Sequence, residues 1–195
     1  MKRIRVATLA ALILLTTNPT LTFAGDLANP VKGAVRKVYN FYTIGTGKKH
    51  KENFTTTARQ VKSGEKTPYA VDVDTADSFK SLERKETAMW TGFLKRKNGG
   101  VFTLVFSTGG NSLSPCYSLW VNGSQVISAE SQTTAVNVTL NAGFNEFCLI
   151  ADYQIFKDVT VSIKKKDSPS EPKNIGPGDL WHEDVSDEDE DDEED

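Results

Sequence analysis

The sequence predicts an all-β protein: an antiparallel β-sandwich or barrel followed by a disordered acidic C-terminal tail. Two observations point to the β-class. Apolar runs rich in β-branched and aromatic residues recur between residues 101 and 163, each bounded by Asn, Gly or Asp turn signals. Period-two alternation appears in AVNVTL, where Val136, Val138 and Leu140 oppose Asn137 and Thr139, and in DVTVSI, where Val159, Val161 and Ile163 oppose Thr160 and Ser162. Strands at this spacing favour a sandwich or barrel over β–α–β units. A third observation sets the tail: residues 183–195, EDVSDEDEDDEED, carry eleven carboxylates and no cation. Such a run cannot bury enough apolar surface to offset its ordering entropy.

In chain order, MKRIRVATLAALILLTTNPTLTFAGD has the parts of a secretory signal peptide. Lys2, Arg3 and Arg5 form its basic region, Val6 to Leu15 its apolar run, and Thr22-Phe23-Ala24 a small-x-small cleavage site. The apolar run is half the length of about 20 residues that a spanning helix needs, which disfavours a membrane anchor. The expected divisions are therefore a signal peptide at 1–24, a sandwich at 25–166 and a disordered tail at 167–195. The expected location is secreted, periplasmic or at the cell surface, with no membrane span.

NPVKGAVRKVYNFYT fits a short helix or a strand, with Val38, Tyr39, Phe41 and Tyr42 placed to cap the core. Residues 46–68 are polar and Lys-rich and read as a long loop. FKSLERKETAMW, residues 79–90, fits helix and strand about equally, and WTGFLK fits a strand ending at Asn98-Gly99-Gly100. VFTLVFST reads as a central strand covered on both faces. SLWVNGSQVIS reads as a hairpin: Asn122-Gly123 suits a type I′ turn, whose two central residues need positive φ. A two-residue loop sets Val121 opposite Ser124, Trp120 opposite Gln125 and Leu119 opposite Val126. FNEFCLIADY is a further apolar strand.

The net charge of −3 divides into three leader cations, eleven tail carboxylates and a body of +5. The tail reads first as a solvated segment that keeps the protein soluble. Its apolar pair, Leu180 and Trp181, is also a candidate anchor for a basic protein partner, and Lys164 to Lys166 or Lys48 to Lys51 are candidate intramolecular receivers. Cys116 and Cys148 are the only cysteines. Export favours one disulfide between them over two buried free thiols.

The ordered set Trp90-Thr91-Gly92, Gly100-Val101-Phe102-Thr103-Leu104, Leu119-Trp120-Val121-Asn122-Gly123 and Val138-Thr139-Leu140-Asn141-Ala142-Gly143 resembles the PA14 family of β-sandwich domains. The resemblance is strong over about 65 residues and weaker over about 120. It implies a non-enzymatic module for carbohydrate binding or adhesion, with a glycan or cell-surface protein as partner. An assembly role through a sandwich edge or the acidic tail is the alternative. Calcium-dependent lectins of this family use adjacent aspartates in the loop before the hairpin strand. Here that loop, residues 107–115, has none, and a hard cation needs several anionic oxygens. No cofactor is expected. The resemblance makes Thr108, Asn111 and Ser112 candidate hydrogen-bonding residues and Trp120 a candidate stacking face, with Asn122 beside them at the hairpin tip. A Cys116–Cys148 bridge would staple two regions of the sandwich.

Catalytic chemistry is not evident. His50, in a Lys-rich stretch, and His182, in the tail, read as exposed histidines outside any triad or zinc site. Asp72, Asp74 and Asp77 read as a solvated strand face rather than paired glycosidase carboxylates. Neither Gly99-Gly100 nor Gly109-Gly110 has phosphate-loop context. The basic stretch lacks the interleaved aromatics of a nucleic-acid groove. Asn53, Asn122 and Asn137 begin glycosylation sequons.

Overall fold

The structure, a computed structural model, describes residues 27, 29–40, 47–79, 86–108, 116–129, 135–152 and 159–184. Two antiparallel sheets face each other, as the alternating strands require. The larger contains β1 (Pro30–Lys32), β2 (Ala34–Tyr39), β3 (Ala70–Asp74), β4 (Thr87–Arg96), β6 (Tyr117–Val121), β7 (Ser124–Ile127), β9 (Gly143–Asp152) and β12 (Trp181–Glu183). The smaller runs β11 (Lys173–Ile175), β10 (Val159–Lys165), β5 (Gly100–Thr108), β8 (Ala135–Leu140). In the larger sheet β4 and β9 pair along their full length, from Thr87 opposite Asp152 to Arg96 opposite Gly143. Beyond β4 the edge is shared: β2 pairs with its first half and β12 meets it at Phe93.

Alternation decides which side chains fill the space between the sheets. Trp90, Leu119, Phe147 and Leu149 point inward from the larger sheet, and Leu104, Leu140, Val161 and Ile163 meet them from the smaller. Phe79 is fully buried, edge-on to Trp90 at 5.5 Å and stacked on Phe147 at 6.1 Å. In β5 only one face is covered: Leu104 and Phe106 are buried while Val101 is 41% exposed. The expectation of two covered faces fails for β5 because, among the described residues, its outer face has no layer above it. It holds instead for β9, whose outward Cys148 and Ile150 are also buried.

That second cover is a helix, α1 (Gly47–Lys62), in the region expected to be a loop. The Lys-rich composition hid a stripe of His50, Phe54, Ala58 and Val61, spaced one turn apart, and all four are buried. The stripe seals Met89, Trp120, Cys148 and Ile150 on the outer face of the larger sheet.

The boundary at 166 and the disordered reading of residues 167–184 are corrected as well. β11, the 3-10 turn Pro177–Asp179 and β12 belong to the sandwich, and Leu180 is fully buried in its core. The Gly and Pro residues taken as breakers serve close approach. A Cβ on Gly176 would lie 2.3 Å from the Asp77 carbonyl carbon, and one on Gly178 2.5 Å from the Thr75 oxygen. Gly178 N–H donates to Ala76 O at 2.9 Å. Gly92, in the Trp-Thr-Gly motif, makes room for β12 in the same way, since a Cβ there would lie 3.1 Å from Leu180 Cβ. Residues 185–195, most of the acidic run, and residues 1–24, the expected signal peptide, lie outside the described residues. No helix among the described residues is long and apolar enough to cross a membrane.

Candidate binding surface

The hairpin forms as expected at its tip, with Asn122 at φ 48° and Gly123 at φ 75°. Val121 faces Ser124 and Trp120 faces Gln125, but a bulge then sets Leu119 opposite Ile127 rather than Val126. The extra residue carries Ile127 into the core.

Of the expected site residues, the structure describes Trp120 and Asn122 in full. Asn111 and Ser112 fall outside the described residues, as does the side chain of Thr108. Asn122 is a fastener: its Oδ1 accepts from Glu146 N–H at 2.9 Å and its Nδ2 donates to Asn145 Oδ1 at 3.1 Å. Trp120 is no stacking platform. It is 6% exposed under α1, because bulge and register turn it outward on the half of the sheet that the helix covers.

The two cysteines are free and buried. Trp120 pairs with Cys148, and Asp152 N–H donates to Cys116 O. The thiols therefore sit four strand residues apart, about 13 Å. A disulfide needs Cα atoms within about 7 Å, so this register forbids the expected bridge. Burial pushes both thiols up to about 12. His50 is also buried rather than exposed, with Nε2 3.8 Å from Asp152 Oδ2. This Cys-His-Asp neighbourhood does not arm a nucleophile, because Cys116 is held as a protonated thiol in an apolar seal.

Of the three aspartates, Asp72 and Asp77 are exposed as expected and Asp74 is not. Asp72 takes Arg36 in a two-point ion pair, with Nε at 2.8 Å. Asp74 is fully buried and accepts Trp90 Nε1–H at 3.1 Å and Ala76 N–H at 3.1 Å. They are structural groups, and Asp74 is not on a solvated face. His182 places Nδ1 3.3 Å from Gly33 O.

What the structure adds is a region of the outer face that α1 does not cover. Where α1 ends, Lys62 spans the boundary, 3.5 Å from Glu146 and 5.9 Å above the Trp120 ring. Beyond it opens a cleft of about 460 Å³ lined by Val35, Thr91, Phe93, Glu146, His182 and Glu183. Phe93 stands edge-on to Phe144, and Phe144 edge-on to Trp181, at 6.4 and 6.2 Å. Lys32 and Lys95 lie over the Trp181 ring at 4.7 and 5.4 Å. Trp181 is therefore packed into this edge of the larger sheet, beside the cleft, rather than being a tail anchor. An apolar aromatic floor with carboxylates and an imidazole at its rim suits a polyol: ring C–H groups meet the aromatics and hydroxyls meet the acceptors. Sequence reasoning missed Phe93, Glu146 and Glu183. The available signal was strand parity, which puts Phe93 on the face opposite Trp90 and Leu94. Among the described residues no three His, Cys, Asp or Glu side chains are placed to hold a metal.

No protein-family model matches the sequence, and no curated protein matches it. Solved structures do. An anti-sigma factor domain-containing protein superposes with a TM-score of 0.52 at 13% identity, covering 77% of this chain and 48% of that one. The chain thus spans about half of that protein. The A domain of epithelial adhesin 9 from Candida glabrata, solved in complex with Galβ1-4GlcNAc, superposes at 0.52 and 11% identity, covering 80% of this chain and 92% of the adhesin domain. The A domain of epithelial adhesin 6 from the same organism, in complex with Galβ1-3GlcNAc, gives 0.50 at 13% identity, with 83% and 92% covered. At such identities the likeness is one of fold. At that level the expectation from the sequence stands: this chain folds as a PA14-like β-sandwich.

Proposed function

We propose that this chain is an exported, non-enzymatic recognition module that binds a glycan, without calcium, in the outer-face cleft. The cleft itself carries the reading. It is open, built on the rigid strands β4 and β9, floored by Phe93 and rimmed by Glu146, Glu183 and His182. The glycan-bound state of the adhesin 9 and 6 domains supports the ligand class. The leader sequence supports export. The absence of aspartates from residues 107–115 supports independence from calcium. A glycan array probed with the full mature chain tests this. Binding that persists in chelator is expected, and a blank array with folded protein would refute it.

A second reading, docking of another protein at a surface assembly, draws on β3. Among the described residues it pairs only with β2, and it exposes Val71 by 58% and Val73 by 49%. Edge strands of this kind accept an extended segment. Val71→Lys blocks such a partner and leaves glycan binding intact, so pull-down with this variant separates the two.

A further inference from the structure

Where β11, β12 and the end of β4 meet lies a second pocket of about 150 Å³, sharing no lining residue with the cleft. Its apolar walls are Leu94, Ile163, Ile175 and Trp181, and its polar groups are Lys32, Lys95, Arg96, Lys173, Asn174 and Asp179. Four cations thus face one carboxylate. That carboxylate is already engaged: Asp179 Oδ2 accepts Gly176 N–H at 3.1 Å, and Oδ1 lies 3.4 Å from Lys173 Nζ. Lys32 and Lys95 rest over Trp181, and Lys95 also over Phe144 at 4.9 Å. Among the described residues neither ammonium has a carboxylate within ion-pair distance. Arg96 lies 5.5 Å over the Phe102 ring, and its Nε is buried without an acceptor.

Like charges gathered between apolar walls repel one another, and the low-dielectric surroundings concentrate their positive potential. A buried donor without an acceptor adds a desolvation cost. One bound oxyanion relieves both, because charge-assisted hydrogen bonds to guanidinium and ammonium are among the strongest a protein surface makes. We propose that this pocket is an anion-binding subsite that takes one oxyanion group: a sulfate, a phosphate or a carboxylate. The group has two possible sources. One is an external acidic ligand. The other is the run of carboxylates at 187–195, tethered to the pocket through the short stretch of chain that follows Trp181. The inference stands apart from the glycan reading.

Inorganic sulfate titrated into the full-length protein, at ionic strength held constant with chloride, tests the site by NMR at the Arg96 Nε–H and the amides of residues 94–96. Saturable shifts are expected, weakened at least about tenfold by Arg96→Gln and by Lys95→Gln. Lys95 is exposed, so its variant keeps the test valid if Arg96→Gln disturbs folding. A full-length chain with the nine acids of residues 187–195 replaced by their amides separates the sources. Tighter sulfate binding there identifies the tail as the resident occupant, and unchanged affinity assigns the subsite to an external ligand. Shifts that never saturate in either form, or that ignore both substitutions, overturn the proposal.

Discussion

The outer face of the larger sheet has a covered half and an open half, built on the same strands. Under α1, Trp120, Met89, Cys148 and Ile150 are sealed into a second core. Beyond Lys62, Phe93, Thr91 and Val35 carry no layer among the described residues and line a cleft. The comparison teaches that residue type alone does not mark a binding face. Trp120 has the chemistry of a sugar platform but sits under the helix, whereas Phe93 occupies the position such a platform needs.

Four perturbations sharpen or break this contrast, in order of decreasing expected effect on stability. Trp120→Ala empties a packed site under α1 and is expected to cost about 3–5 kcal/mol by urea denaturation, while the folded fraction keeps its glycan affinity. The buried thiols come next. Burial raises their folded pKa from 9.0 to about 12, so the stability they confer is complete below pH 9 and lost as pH rises toward 12. Between pH 8 and pH 10 the two contribute a loss of about 2–3 kcal/mol, which the Cys116→Ala/Cys148→Ala variant should not show. Reductant is expected to leave stability unchanged. Gly92→Ala forces a Cβ against Leu180 and the Trp181 carbonyl oxygen. A loss of about 1–2 kcal/mol is expected, together with weaker glycan binding, because β12 forms one wall of the cleft. Phe93→Ala, on the open half, should cost about 1 kcal/mol or less, mostly through its edge contact with Phe144.

Much of the sandwich was legible. Residues β5, β8, β9 and β10 announced themselves by alternation or apolar runs, and Asn122-Gly123 by turn chemistry. The failures have physical causes. α1 shows only four apolar or aromatic positions among many lysines, so composition masked its stripe. Gly176, Pro177 and Gly178 read as breakers, because a sequence does not show the backbone of Thr75 to Asp77 lying against them. Cys116 and Cys148 are an even pair, yet only the register of β6 against β9 reveals that they are too far apart to join. The cleft was illegible for a related reason: it exists because α1 stops short of β4's outer edge, and that depends on tertiary placement.

The central claim is that the open half binds a glycan and the covered half is structural. The direct measurement is calorimetric affinity for a glycan selected on the array, with the full-length protein and with Phe93→Ala, each in chelator. Unimpaired binding by the parent and a loss of at least about tenfold in Phe93→Ala are expected. Equal affinity in the two proteins, or binding abolished by the chelator, would contradict the account.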